Sequence, residues 1–206
     1  MSDEPRDHWE RVYQTTPPTG VSWYEPVPRV SLALILEAGL GPTAPILDVG
    51  GGSSTLVDHL LRVGFTDLTV LDVAPGAFAA AQSRLGDGAA QVHWITTDIS
   101  DFRPARQYAL WHDRAVFHFQ VDRPRRDRYL EVLRRALAPE GHLVLATFGP
   151  EGPTHCSGLE VQRYSAAQLG GLLGTEFRLV RSQVEDHPTP RGGRQQFSYG
   201  LWKFEA

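Results

Sequence analysis

The feature that most constrains the fold is a run of three glycines directly after a short apolar segment. Pro45–Val49 is predicted to form a buried strand that contains Asp48, and Gly50, Gly51 and Gly52 follow it. A turn made of glycines carries no side chains, so its backbone can approach another group closely. Leucines at helical spacing come next, which predicts a strand, a tight turn and a helix in succession.

Short apolar runs alternate with longer segments of helical period along most of the chain. This alternation is typical of a parallel sheet covered by helices on both faces. The predicted strands are Pro45–Val49, Leu68–Asp72, Gln91–Thr96, Tyr108–His112 and His142–Thr147. The predicted helices are Val27–Ala38, Thr55–Val63, Pro75–Arg84, Pro124–Leu137 and Ala166–Leu173, and Gly141 is expected to stop the fourth.

The C-terminal part of the chain departs from this alternation. Two β-like segments, Phe177–Glu185 and Gln196–Phe204, have no helix between them and are separated by the turn-forming stretch Pro188–Arg194. They predict an antiparallel hairpin. The expected fold is therefore α/β, with a Rossmann-like doubly wound sheet of seven strands. The sheet is mostly parallel with an antiparallel C-terminal hairpin strand, and helices cover both faces.

Length, charge and cysteine content limit the possible classes. A chain of 206 residues fits a single domain, 1–206, and 20 basic against 24 acidic residues give a net charge of -4, with no sign of a nucleic-acid partner. Cys156 is the only cysteine, which favours a reducing, cytoplasmic location. The polar N-terminus argues against a secretory signal, and no apolar run reaches the ~18 residues of a membrane span. We expect a soluble monomer or homodimer.

Two aspartates end the second and third predicted strands. A carboxylate at Asp72 can accept both hydroxyls of an adenosine ribose, and its alternative role is to cap the next helix. Asp98 can accept from the exocyclic amine of adenine while Ile99 packs on the ring, and its alternative role is that of a turn aspartate. Both positions favour a nucleoside ligand at the carboxyl edge of the sheet.

The glycine loop resembles the patterns of two classes of nucleotide-binding protein. The dehydrogenase pattern G-x-G-x-x-G fits Gly50 and Gly52 but places Thr55 at its third glycine. The methyltransferase pattern, an acid followed by G-x-G, is met by Asp48. A carboxylate there complements the α-ammonium of S-adenosylmethionine and would repel a pyrophosphate. No lysine follows the glycines, which excludes a phosphate-binding NTPase loop.

With these residues in place, the sequence resembles the class I S-adenosylmethionine-dependent methyltransferases from Trp9 to Phe204. Ile46–Gly52 resembles the first motif of that family, Leu71–Val73 the second and Thr97–Ile99 the third, although Ser54 replaces a common last glycine. The resemblance implies S-adenosylmethionine as cofactor and S-adenosylhomocysteine as product. The implied cofactor-binding residues are Trp23, Asp48, Gly50, Gly51, Gly52, Ser53, Asp72, Val73, Asp98, Ile99 and His112.

A shorter resemblance concerns the subfamily. Trp111–Phe117 is similar to the aspartate-arginine motif of thiopurine S-methyltransferase and tellurite-resistance methyltransferases, and it also resembles protein lysine methyltransferases, which often have lysine at the position of Arg114. The first branch implies a single methyltransferase domain that acts on a small or medium acceptor. Residues 1–26 would then form an aromatic cap over the cofactor, and 148–165 a loop on the acceptor side.

The resemblance implies few catalytic side chains, because direct displacement at an activated carbon depends mainly on alignment in a dry pocket. A base helps where the acceptor is protonated, and the candidates are His112, Asp113 and His118. Their alternative roles are a core histidine and a helix cap. Arg114 either steers an anionic acceptor or pairs with Asp113.

Other classes of function stay open at this point. They are a protein lysine N-methyltransferase, a non-catalytic nucleotide-binding module and, less favoured, a nicotinamide oxidoreductase. No metal is expected, because the adjacent His155 and Cys156 are a poor ligand set. The sequence does not identify the acceptor atom.

Overall fold

The computed structural model describes residues 4–205, whose strands form one large sheet and one small hairpin. The strands are β1 (Ile46–Val49), β2 (Leu68–Asp72), β3 (Val92–Thr96), β4 (Tyr108–Arg114), β5 (Leu137–Phe148), β6 (His155–Cys156), β7 (Leu159–Glu160), β8 (Phe177–Pro188) and β9 (Arg194–Phe204). The α-helices are α1 (Glu4–Thr15), α2 (Arg29–Glu37), α3 (Leu56–Arg62), α4 (Ala79–Leu85), α5 (Arg123–Ala136) and α6 (Ala166–Leu173).

The large sheet has seven strands in the order β3-β2-β1-β4-β5-β9-β8. Strands β1 to β5 pair in parallel, whereas β9 runs antiparallel to both β5 and β8. The predicted Rossmann-like, mostly parallel sheet with an antiparallel C-terminal strand is therefore confirmed. The strand order reverses between β1 and β4, and this switch point is where such sheets bind ligands.

Apolar side chains fill both faces of the sheet. One core cluster packs α2 and α3 against the sheet through residues such as Leu34 and Leu56. The other packs α5 and α6 against the opposite face through Tyr129, Leu133 and Leu169. Among the helices of residues 4–205, none has the length and hydropathy that a membrane span requires.

Several predicted boundaries were wrong. Gly141 does not stop α5, which ends at Ala136, because β5 begins at Leu137. A Cβ at position 141 would lie 2.7 Å from the Ala138 carbonyl oxygen, which accounts for the glycine. The predicted helix Pro75–Arg84 begins as a 3₁₀ turn, and α1 lies in a segment for which no helix was predicted.

The centre of β9 allows a test of the core. The Trp202 ring lies over the α-carbon of Gly200, so a Cβ at position 200 would collide with a fully buried indole. We expect Gly200→Ala to lower the free energy of unfolding by about 1–3 kcal/mol, the usual cost of overpacking. Urea denaturation measures this value.

The control is Gly171→Ala in α6, where no atom of the residues that the structure describes lies within 4 Å of the added Cβ. It should be neutral or should stabilise the protein by up to about 1 kcal/mol, because alanine favours helix. Equal effects of the two substitutions would contradict the packing around Trp202.

Candidate active site

The carboxyl ends of β1, β2 and β4 meet at the switch point of the sheet. The parallel register places Asp48 beside His112, and the N–H groups of Gly50 and Gly51 both point to the Leu71 carbonyl oxygen, at 2.7 and 3.3 Å. The glycine loop is therefore tied to the end of β2. This contact brings the loop and Asp72 together.

Backbone conformation and close packing explain the three glycines. Gly50 and Gly52 have φ values of 67° and 34°, a region that favours glycine. A Cβ on Gly51 would collide with the Asp48 carboxylate, and one on Gly52 would lie 2.7 Å from Asp72 Oδ2. The loop thus leaves room for two carboxylates that flank it.

Asp48 belongs to a buried line of hydrogen bonds. His112 Nδ1 donates to Asp48 Oδ1 at 2.7 Å, and His112 Nε2 lies 2.9 Å from Ser31 Oγ on α2. Asp48 Oδ2, also buried, has no hydrogen-bond partner among residues 4–205. An unpartnered carboxylate oxygen beside the glycine loop fits a cationic group such as the α-ammonium of S-adenosylmethionine.

The role of His112 follows from its hydrogen bonds to Asp48 and Ser31. Both of its ring nitrogens have partners within the protein, so neither is available to take a proton from an acceptor. Its contacts therefore do not support the predicted role of a base. They give it the role of orienting the Asp48 carboxylate.

Asp72 is buried at the end of β2 with few partners. The Ala74 N–H donates to its Oδ1 at 3.0 Å, and the Tyr13 hydroxyl lies 3.4 Å from its Oδ2. Burial raises the pKa of Asp72 to about 7, although these hydrogen bonds act in the opposite direction. A ligand with two hydroxyl donors would favour the ionised carboxylate.

The helix α1 supplies two site residues for which the sequence analysis predicted no specific role. Tyr13 contacts Asp72, and Glu10 Oε1 accepts a hydrogen bond from the Gly76 N–H at 2.7 Å. The Trp9 ring packs against Trp23 with centroids 5.8 Å apart. The four-residue spacing of Trp9 and Tyr13, which places them on one helical face, was the available signal.

A cavity of about 40 Å³ lies between the glycine loop and the segment 18–25. Of the predicted cofactor residues, its lining contains Trp23, Asp48, Gly50, Gly51, Ser53 and His112. Small-molecule pockets usually measure about 300–1,000 Å³. The enclosed part of this site is therefore smaller than a whole nucleoside cofactor.

The predicted adenine-binding residues lie outside this cavity. Asp98 Oδ1 accepts from the N–H and the hydroxyl of Ser100, at 2.8 and 2.6 Å, as a turn aspartate does. Ile99 packs in the core with Leu71, and Val73 is half-buried next to Asp72. Adenine binding by Asp98 and Ile99 stays a prediction.

Asp113 does not reach the site, which corrects its predicted catalytic role. Successive residues of a strand point to opposite faces, so His112 faces α2 while Asp113 faces α5. Its buried carboxylate accepts from the Val116 and Phe117 N–H groups, at 2.7 and 3.0 Å, and from the Tyr129 hydroxyl. Asp113 is therefore a buried turn cap, and among the described contacts it makes no pair with Arg114.

His118 is fully buried after β4, next to the rings of Phe119 and Phe148. The Phe148 N–H donates to its Nδ1 at 3.4 Å, and its Nε2 has no partner among residues 4–205. Burial, helped by the nearby Arg114, lowers the pKa of His118 to about 3. The imidazole is therefore neutral at physiological pH.

Parts of the chain are similar to known sequences. Residues 46–141 match the sequence model of the family described as "Methyltransferase domain". Nodulation protein S of Rhizobium tropici is 32% identical over 132 residues, which are 62% of this chain and 52% of that protein. The malonyl-[acyl-carrier protein] O-methyltransferase of Anoxybacillus flavithermus is 31% identical over 110 residues, 52% of this chain and 40% of that protein.

The chain thus spans about half the length of these curated relatives. A solved structure is similar over the whole fold. The N-methyltransferase NodS from Bradyrhizobium japonicum WM9, in complex with S-adenosyl-L-homocysteine, aligns over 97% of this chain and 100% of that chain. The TM-score is 0.74 at 18% identity, so the likeness establishes the fold.

The raised pKa of Asp72 predicts a dependence of stability on pH. The folded protein holds this proton more tightly than the unfolded chain, whose aspartates titrate near 3.8. The contribution of Asp72 to the free energy of unfolding therefore falls as the pH rises from about 4 to about 7. Asp72→Asn should unfold at higher urea than the wild type at about pH 8, without ligand, and this advantage should shrink at about pH 5.

The control is Asp127→Asn, which changes a carboxylate on the exposed side of α5. Its difference from the wild type should be small and similar at both pH values. A pH-independent difference for Asp72→Asn would contradict the buried, weakly paired carboxyl group.

Proposed function

We propose that this chain, which carries a methyltransferase domain on the class I fold, transfers the methyl group of S-adenosylmethionine to a small or medium acceptor. The observation that carries the proposal is the pair of buried carboxylates on either side of the glycine loop. Asp48 keeps one oxygen without a partner in the described part of the chain, and Asp72 ends the neighbouring strand. This donor-poor, acidic arrangement suits a ligand with an ammonium at one end and a diol at the other.

Each end of the cofactor has candidate residues. Asp48 would accept the α-ammonium, Asp72 the ribose hydroxyls, and the backbone of Gly50, Gly51 and Gly52 would allow close approach. Trp23 would cover the methionine end. When bound, S-adenosylmethionine supplies a methyl carbon that positive sulfur activates, so the protein's main task is alignment and exclusion of water.

His118 is the candidate for contact with the acceptor. Its imidazole is buried and neutral, and its backbone carbonyl oxygen accepts a hydrogen bond from the Gln162 N–H of the predicted acceptor-side loop at 2.8 Å. Because Nδ1 accepts from the Phe148 N–H, the neutral imidazole carries its proton on Nε2, which can donate a hydrogen bond to a lone pair of the acceptor. His118 would then orient the acceptor and would not take its proton.

A small-molecule acceptor is favoured over a protein or a nucleic acid. The relatives' names include an N-methyltransferase and an O-methyltransferase, and the net charge of -4 offers no phosphate-binding surface by itself. The aspartate-arginine motif supports the thiopurine and tellurite-resistance branch as the closest pattern. The proposal includes a monomer or homodimer in a reducing cytoplasm, which the single buried Cys156 favours.

Binding of S-adenosylhomocysteine tests the cofactor assignment. Calorimetry should give micromolar binding to the wild type, and both Asp48→Ala and Asp72→Ala should weaken it by about tenfold or more. A lost charge-assisted hydrogen bond costs about 1.5–3 kcal/mol. Asp127→Ala on the exposed side of α5 is the control and should bind like the wild type. Unchanged binding in Asp72→Ala would remove the assignment.

Turnover tests the role of His118. Wild-type protein with S-adenosylmethionine and a panel of small amines, thiols and phenols should release S-adenosylhomocysteine. His118→Leu, which removes the Nε2 donor, should lower kcat/KM by about tenfold, the effect of one lost hydrogen bond, and leave product affinity unchanged. His93→Leu, an exposed substitution on β3, is the control. Equal kcat/KM in both variants would exclude contact between His118 and the acceptor, and product affinity lost in His118→Leu would assign it to cofactor binding.

A further inference from the structure

Arg114 ends β4 and reaches across the edge of the sheet to three separate partners. Its Nε donates to the Tyr199 hydroxyl at 2.7 Å, one terminal nitrogen donates to the Trp23 carbonyl oxygen at 3.1 Å, and the other to Glu25 Oε1 at 2.7 Å. The Arg114 side chain is 10% exposed and that of Glu25 12%. The two charges are therefore paired inside the protein.

The C-terminal hairpin surrounds this pair with further contacts. The Tyr199 hydroxyl donates to Glu185 Oε2 at 2.9 Å, and the Arg114 guanidinium lies 4.2 Å from the centroid of the Phe197 ring. His187 on β8 lies 3.4 Å from Glu25 and donates through Nε2 to a backbone carbonyl of the same segment, that of Ser22, at 2.9 Å. Gln195 on β9 donates to Ser22 Oγ at 3.2 Å, so both hairpin strands contact the segment Ser22–Glu25.

The same segment lines the cavity beside the glycine loop. Trp23, Glu25 and Arg114 itself all belong to that lining. Thr55, at the start of α3, fixes the segment from the other side, because its hydroxyl donates to the Glu25 carbonyl oxygen at 2.9 Å. The position of Trp23 therefore depends on a hairpin that lies far along the chain and contributes no predicted site residue.

These contacts decide between the roles open to Arg114. A guanidinium whose charge is matched by Glu25, and which is bound on three of its nitrogens, is not free to attract an anionic acceptor. We infer that Arg114 is a positioning residue that holds Ser22–Glu25 against the C-terminal hairpin, so that β8 and β9 set one wall of the methyl-transfer cavity. This inference rests on the proposed function.

The side-chain type is part of the inference. Three partners in different directions and a ring face require a planar fork of donors, which lysine lacks. Arg114→Lys therefore keeps the charge but loses contacts, and Tyr199→Phe removes one hydroxyl that Arg114 and Glu185 share.

Amide hydrogen exchange tests the positioning directly. The Tyr24 N–H, which donates to the Val21 carbonyl oxygen at 3.1 Å, reports on the segment. We expect its exchange to become about tenfold faster or more in Arg114→Lys, and faster in Tyr199→Phe, while amides of β1 and β2 keep wild-type rates. Arg134→Lys, which alters a pair with Glu176 away from the cavity, is the matched control and should change neither.

Enzyme kinetics give a second test, because a residue that only stabilised the fold would not change kcat in the folded protein. In folded Arg114→Lys, kcat should be lower and S-adenosylhomocysteine binding weaker, and the loss of kcat should be the same for anionic and neutral acceptors. A higher KM confined to anionic acceptors would overturn the inference and make Arg114 an acceptor-binding residue. If Arg114→Lys fails to fold, Tyr199→Phe carries the test.

Unchanged exchange at Tyr24 in both variants would also overturn it. The proposed function is judged separately, since it fails if the wild type binds no S-adenosylhomocysteine. The exchange experiment needs no ligand and still decides whether Arg114 holds the segment.

Discussion

The hydrogen bond between His112 and the buried Asp48 carboxylate is the interaction on which the rest of the site depends. A buried charge costs several kcal/mol unless it is paired, and His112 on β4 with Ser31 on α2 provides that pairing. One carboxylate thus joins β1, β4 and α2 at the switch point. The position of Asp48 also explains the glycine at position 51, because a side chain there would occupy the space of the Asp48 carboxylate.

The strand geometry that brings His112 to Asp48 also separates the chemistry of the two faces. On the α2 face, Asp48 keeps an oxygen that no group of residues 4–205 contacts by a hydrogen bond, whereas on the α5 face Asp113 accepts from backbone N–H groups and Tyr129. His112 and Asp113, which are adjacent in sequence, therefore have different roles. His112 orients Asp48 beside the glycine loop, and Asp113 stabilises the turn before His118.

The features that could be predicted from the sequence are those encoded by residues close together in the chain. The glycine run, the apolar strands and the missing helix before the last strand each lie within a short stretch, so they predicted the sheet and its antiparallel strand. Contacts between distant residues could not be found this way. Tyr13 meets Asp72 across 59 positions and Arg114 meets Tyr199 across 85. The predicted end of β4 at His112, two residues early, also hid which way Asp113 points.

The central claim is that Asp48 and Asp72 form one cofactor site around the glycine loop. A crystal structure with S-adenosylhomocysteine tests it most directly. The account predicts the ribose hydroxyls within hydrogen-bond distance of Asp72 and the amino group near Asp48 Oδ2. A ligand bound away from the glycine loop, or one that contacts neither carboxylate, would contradict the account.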